Sequence, residues 1–304
     1  MKRLFASMGS FVLLAIAGAA VAQPPGVTPE MIARQLPLEG APLAIPGPYE
    51  VISEPAFGLP SHIVFRPADL SAFPDRDTLP VMAWGNGGCA IDGTRYSGFL
   101  STIASHGFLV MTTVAVEGQQ RARGVPENMI TAFDWAEAEN ARAGSPLEGK
   151  IATGQMSAMG QSCGGFMSIS AGGDPRVGTI GVFNSGVQPP NPDGQGGGNA
   201  TTDALADLHG PVLFINGGTV DFMYEISRDN YERIETLPAF YGARDNAGHS
   251  ATMFHPGGGE FANVASNWLL YVFKNDAEAA KMFVGRDCSL CTNSNWETAS
   301  KRLK

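Results

Sequence analysis

Ile151-Ala152-Thr153-Gly154-Gln155-Met156-Ser157-Ala158-Met159 runs directly into Gly160-Gln161-Ser162-Cys163-Gly164. The first nine residues are mostly small or apolar, as suits a strand buried on both faces. The next five read G-x-S-x-G, the pattern of a sharp strand-to-helix turn that exposes a serine at its tip. A side chain at either flanking glycine would crowd such a turn. Gly164-Gly165-Phe166-Met167-Ser168-Ile169-Ser170-Ala171 then starts a helix that its two small residues let approach the sheet. Strand, serine turn and helix therefore fall in the order that makes Ser162 a candidate nucleophile. The bland alternative is a serine in an ordinary glycine-rich turn.

Outward from this segment, strands and helices alternate. Strands are expected at 61–67, 79–84, 108–116, 177–184, 211–216 and, as a short candidate, 238–241. Apolar residues at helical spacing mark Tyr96–Ser105, Glu127–Arg142 and Phe261–Lys274. Alternating βα units with buried strands imply an α/β fold with a mostly parallel central sheet covered by helices on both faces. No internal repeat, heptad pattern or linker between two cores is visible. The expected organisation is a signal peptide at 1–22, an extended arm rich in Pro, Gly and Ala at 23–48, and one α/β domain at 49–304 ending in a Cys-containing tail. The loop 187–200 is short for a lid, so an open site is expected.

The 304-residue chain opens with Lys2 and Arg3, then an uncharged apolar run from Leu4 to Ala20, then Ala20-Val21-Ala22. That is the pattern of a secretory signal peptide. No other uncharged apolar run reaches spanning length, so a secreted or periplasmic, soluble protein without a membrane span is expected. The formal net charge is −9 and becomes more negative once Lys2 and Arg3 are removed. An acidic surface argues against nucleic acid and anionic lipid as partners.

A serine hydroxyl needs a base to take its proton, and the base needs a carboxylate to hold its ring. Active sites on parallel sheets gather at the carboxyl ends of the strands. Three histidines follow Ser162. His209 precedes a strand, which is the wrong end of the sheet. His249 follows the last strand candidate and precedes the last helix, so it is the favoured base. His255, six residues on and followed by Pro256, is the alternative. His62, in a strand, and His106, in a helix-end turn, read as packing or capping residues. Asp221 follows the strand 211–216 through Gly217-Gly218-Thr219-Val220, which is where the acid belongs; Glu225 is the runner-up. Either acid could instead serve a helix start.

The tetrahedral intermediate of acyl transfer needs two backbone N–H donors. One is expected from Cys163, the residue after the nucleophile. The other is expected from Gly88 or Gly87, in the glycine-rich loop Trp84-Gly85-Asn86-Gly87-Gly88-Cys89. The four cysteines are Cys89, Cys163, Cys288 and Cys291. In an exported chain disulfides are the default over metal or redox roles. Cys89 and Cys163 flank the same expected oxyanion hole, so a bridge clamping it is one reading and two buried thiols the other. Cys288 and Cys291 are close enough to pair locally. No metal site is expected, because the tail lacks a second ligand pair.

With Pro80-Val81-Met82-Ala83-Trp84-Gly85-Asn86-Gly87, Ala104-Ser105-His106-Gly107-Phe108 and Met159-Gly160-Gln161-Ser162-Cys163-Gly164-Gly165 in hand, the chain resembles the α/β-hydrolase superfamily. Within it, the resemblance is to the branch of cutinase-like polyester hydrolases, chlorophyllases and dienelactone hydrolases, over about residues 50 to 275. Cys163 stands where polyester hydrolases carry Met or a similar residue. Asn86-Gly87-Gly88 replaces their Pro-Gly-aromatic turn, and serine holds the place of the dienelactone hydrolases' cysteine. The resemblance thus implies hydrolysis of a small-molecule or polymer carboxylic ester without a cofactor, and it does not imply polymer specificity. A peptidase or amidase with the same triad, or a non-catalytic binding protein on this fold, are the alternatives.

Overall fold

The computed structural model of the protein describes residues 38, 40–190 and 200–304. The signal peptide, most of the arm and residues 191–199 of the 187–200 loop lie outside the described residues. Among the described residues, nine strands form one sheet. They are β1 (Val51–Ala56), β2 (Leu59–Pro67), β3 (Leu79–Gly85), β4 (Leu109–Thr113), β5 (Ile151–Gln161), β6 (Val177–Phe183), β7 (Val212–Asn216), β8 (Ala239–Arg244) and β9 (Trp296–Lys301). The helices are α1 (Ser97–Ala104), α2 (Glu127–Ala141), α3 (Cys163–Ala171), α4 (Tyr224–Arg233), α5 (Gly259–Lys274) and the one-turn α6 (Ala277–Ala280).

The strand order is β1-β2-β4-β3-β5-β6-β7-β8-β9. Pairings from β4 to β8 are parallel, while β1–β2, β2–β4 and β8–β9 are antiparallel. This mixed, mostly parallel sheet is consistent with an α/β-hydrolase-like fold. Alternation along the buried strands divides the core into two layers, as the two-residue repeat of a strand requires. Val81 and Ala83 of β3 and Val212 and Phe214 of β7 face Phe133 of α2, Ile169 of α3 and Tyr231 of α4. Met82, Trp84, Leu213 and Ile215 face Phe99 and Ile103 of α1 and Trp268 of α5. Both sheet faces are therefore covered.

β3 has β4 on one side and β5 on the other, so the chain reverses its winding direction there. Such a switch point opens a crevice at the carboxyl ends of the strands. The loop after β3 and the turn after β5 meet in it.

The C-terminal end of the chain departs from expectation. The C-terminal tail carries β9, which pairs with β8 from Ala239↔Lys301 to Arg244↔Trp296. The described part of the arm is extended and pinned: the Ile45 N–H donates to Asn263 Oδ1 at 2.7 Å and the Gly47 N–H to Ser105 Oγ at 2.7 Å. No helix among the described residues is long and apolar enough to cross a membrane.

Candidate active site

Ser162 sits between β5 and α3 with φ 54° and ψ −118°. A positive φ is costly for a residue with a Cβ and persists only where the surroundings enforce it. Here the Ser162 N–H donates to the Phe183 carbonyl at 2.9 Å, and Ser185 Oγ donates to the Ser162 carbonyl at 2.6 Å. Gly164 packs against the backbone of Gly85 and Gly160, leaving no space for a side chain. The turn is thereby wedged against the end of β3.

The histidine loop after β8 brings His249 to this turn. Ser162 Oγ lies 2.9 Å from His249 Nε2, and His249 Nδ1 lies 2.9 Å from Asp221 Oδ1. Asp221 follows β7 through a short 3-10 turn, Gly218–Val220. Its side chain is fully buried and that of His249 nearly so. Donors surround the carboxylate: Met223 N–H to Oδ1 at 3.1 Å, Asn184 Nδ2 to Oδ2 at 2.7 Å and Gly217 N–H to Oδ2 at 3.3 Å. The carboxylate only accepts, so His249 Nδ1 carries the proton and Nε2 is left to accept from the Ser162 hydroxyl. The Phe222 ring lies against the imidazole, centroids 3.9 Å apart and planes at 31°, further fixing its orientation.

The other titratable candidates lie apart from this line. Glu225 is exposed in the first turn of α4. His209 is exposed beside the Asp207 carbonyl. His255 Nε2 accepts the Leu38 N–H at 3.2 Å and so anchors the arm. His62 is buried in β2, its Nε2 bonded to the Asn128 carbonyl at 3.0 Å, and His106 Nε2 bonds the Ile45 carbonyl at 3.0 Å.

The two expected loop donors differ in their surroundings. The Gly87 N–H donates to Tyr96 Oη at 3.0 Å. Gly88 is exposed, with φ 67°, a conformation suited to glycine. Neither the Gly88 N–H nor the Cys163 N–H has an acceptor among the described residues. Cys89 and Cys163 are disulfide-bonded with Cα atoms 5.1 Å apart, and Cys288 and Cys291 with Cα atoms 4.9 Å apart. The first bridge ties the Gly88 turn to the serine turn.

Asn184 is a site residue that sequence reasoning missed. It is buried at the end of β6 with φ 47° and bonds both Asp221 and, at 3.1 Å, the Gly248 carbonyl. Its one sequence signal is a polar residue closing an apolar strand. Compared with known proteins, the chain matches no protein-family model and no curated protein.

Proposed function

We propose that the protein is an exported serine hydrolase of the α/β-hydrolase type that cleaves carboxylic esters through an acyl-enzyme. The observation that carries this reading is the unbroken line Ser162 Oγ–His249–Asp221, with both links at 2.9 Å, on a strained strand-to-helix turn. In the reaction, Ser162 Oγ attacks the ester carbonyl carbon while its proton passes to His249 Nε2. The carbonyl oxygen becomes an oxyanion, held by the N–H groups of Cys163 and Gly88. Collapse of the intermediate breaks the C–O bond, and the alcohol leaves with the proton from His249. Water then attacks the acyl carbon, giving its proton to His249, and the acid is released with Ser162 restored. Asp221 keeps the imidazole in the required tautomer and stabilises the imidazolium. Two disulfides fit an oxidising compartment, in line with the expected signal peptide.

The test is labelling by a fluorophosphonate probe together with turnover of p-nitrophenyl esters of increasing acyl length. Wild type should label and turn over. Ser162→Ala should not label, and its kcat should fall by about 10⁴ to 10⁶. A folded wild type that neither labels nor hydrolyses any ester would instead indicate a binding protein on this fold. A preference for anilides over esters would indicate an amidase.

A further inference from the structure

Three loops supply the proposed machinery: the one after β3 with Gly88, the turn after β5 with Ser162, and the one after β8 with His249. One buried chain of hydrogen bonds joins all three. The Gly87 N–H donates to Tyr96 Oη at 3.0 Å. The Tyr96 hydroxyl donates to Gln161 Oε1 at 2.9 Å. Gln161 Nε2 donates to the His249 carbonyl at 2.9 Å. Tyr96 is 1% exposed and Gln161 4%.

The chain has a single direction. A phenol has one proton, and a Gln amide has distinct donor and acceptor ends. Turning the amide over would set Oε1 against the His249 carbonyl, two acceptors facing each other. Burial pushes the Tyr96 phenol above its ordinary value, so it remains a donor through the working range of an ester assay. Its ring is held independently, 5.4 Å from Trp84 and 5.2 Å from Phe254 of the histidine loop, centroid to centroid. Buried chains of this kind polarise one another and allow little displacement of their members.

Resting on the reading of Ser162, His249 and Asp221 as a hydrolytic triad, we infer that Tyr96 and Gln161 are positioning residues that couple the oxyanion loop to the catalytic histidine. Neither touches the reacting atoms. Tyr96 takes up the Gly87 N–H and so fixes the turn that leaves the Gly88 N–H free. Gln161 holds the backbone of His249 while its own main chain leads into Ser162. Without the link, donor and base would drift relative to the nucleophile, and a misplacement of about 1 Å can lower a rate about 100-fold.

The experiment measures kcat and KM on a p-nitrophenyl ester for wild type, Tyr96→Phe, Gln161→Met and the double variant, with circular dichroism to establish folding. Tyr96→Phe keeps the ring contacts and removes only the hydroxyl. The expected result is a kcat about 10- to 100-fold lower in each single variant, with KM within about threefold of wild type. The double variant should be little worse than the poorer single one, because both break the same chain. Folded variants with wild-type kcat, a change confined to KM, or additive losses would overturn the inference while leaving the triad in place. Should Tyr96→Phe not fold, Gln161→Met decides by the same criteria. A wild type without turnover or labelling overturns the functional reading itself, and this inference with it.

Discussion

Asn184 Nδ2 lies 2.7 Å from Asp221 Oδ2, while the other carboxylate oxygen, Oδ1, faces His249 Nδ1 at 2.9 Å. The two oxygens of one buried carboxylate thus serve different partners. Asn184 fixes the plane in which Asp221 presents Oδ1 to the imidazole. The same amide bonds the Gly248 carbonyl at 3.1 Å, so it also holds the residue before the histidine.

Substitution of Asn184 should therefore lower turnover. Its φ of 47° makes Asn184→Gly the informative variant, because glycine accepts the left-handed backbone that alanine would strain. The expected kcat is about 10- to 100-fold below wild type, by loss of ring and carboxylate alignment. Stability should fall by about 1 to 3 kcal/mol, because a buried carboxylate loses a donor. Urea unfolding and steady-state kinetics check both. Unchanged kcat in a folded Asn184→Gly protein would remove Asn184 from the site.

The parts of this architecture legible in the sequence are those set by local pattern. Apolar β3, the apolar run Val212 to Ile215 of β7, the helical stripe of α1 and the G-x-S-x-G turn are all readable within a few residues. β9 was not legible: Trp296-Glu297-Thr298-Ala299-Ser300-Lys301 is largely polar and becomes a strand by pairing with the exposed edge of β8. β1 carries Pro55, a poor strand former that an edge position tolerates. α4, Tyr224 to Arg233, lacks a strong apolar stripe. The partner of the Gly87 N–H is a phenol nine residues further along the chain. The part played by Asn184 rests on a contact 37 residues away. Long-range bonds of this sort leave no mark in a local window.

Acid should destabilise the fold through His62. Its ring is buried between Ser61 Oγ at 3.0 Å and the Asn128 carbonyl at 3.0 Å. Burial pushes the imidazole below the ordinary histidine value, against a smaller opposing effect of the Asn128 carbonyl. Between the folded value and the unfolded one, about 6.5, the unfolded chain binds the extra proton. Stability therefore rises with pH through that window: it is fully present above about 6.5 and is lost as pH falls below. Tm measured from pH 7.5 to pH 5 should decline, and His62→Gln should flatten the slope. A His62→Gln protein with the wild-type slope would place the acid sensitivity elsewhere.

Arg244 and Glu260 should behave as a pair. Their side chains are 8% and 7% exposed, with Nε and Oε2 2.8 Å apart. Trp296 Nε1 donates to the other Glu260 oxygen at 2.7 Å. The cluster joins β8, α5 and β9. Glu260→Gln leaves a buried guanidinium without its counter-charge, and removing one partner of such a pair typically destabilises by about 3 to 5 kcal/mol. Glu260→Leu with Arg244→Met should recover much of that loss, since both charges leave together. Denaturant midpoints of wild type, Glu260→Gln, Glu260→Leu, Arg244→Met and the double variant give the comparison. Additive losses in the double variant would show that the pair contributes no coupling.

The two disulfides should separate in their effects. Cys89–Cys163 closes a span of 74 residues and Cys288–Cys291 a span of three. On the loop-entropy account the first contributes roughly 4 kcal/mol and the second roughly 2. Only the first touches the site, because Cys89 adjoins Gly88 and Cys163 follows Ser162. Cys89→Ala should therefore lower both stability and kcat. Loss of a whole oxyanion donor costs about 10² to 10³ in kcat. A donor that is only loosened should lose less, with KM little changed. Gentle reduction of the wild type should reproduce the kcat loss, and Cys288→Ala should lower Tm while leaving kcat intact. Peptide mapping under non-reducing conditions establishes the pairing in each sample. If Cys89→Ala lowers Tm but keeps wild-type kcat, the bridge is a staple of the fold and the Gly88 turn holds its shape without it.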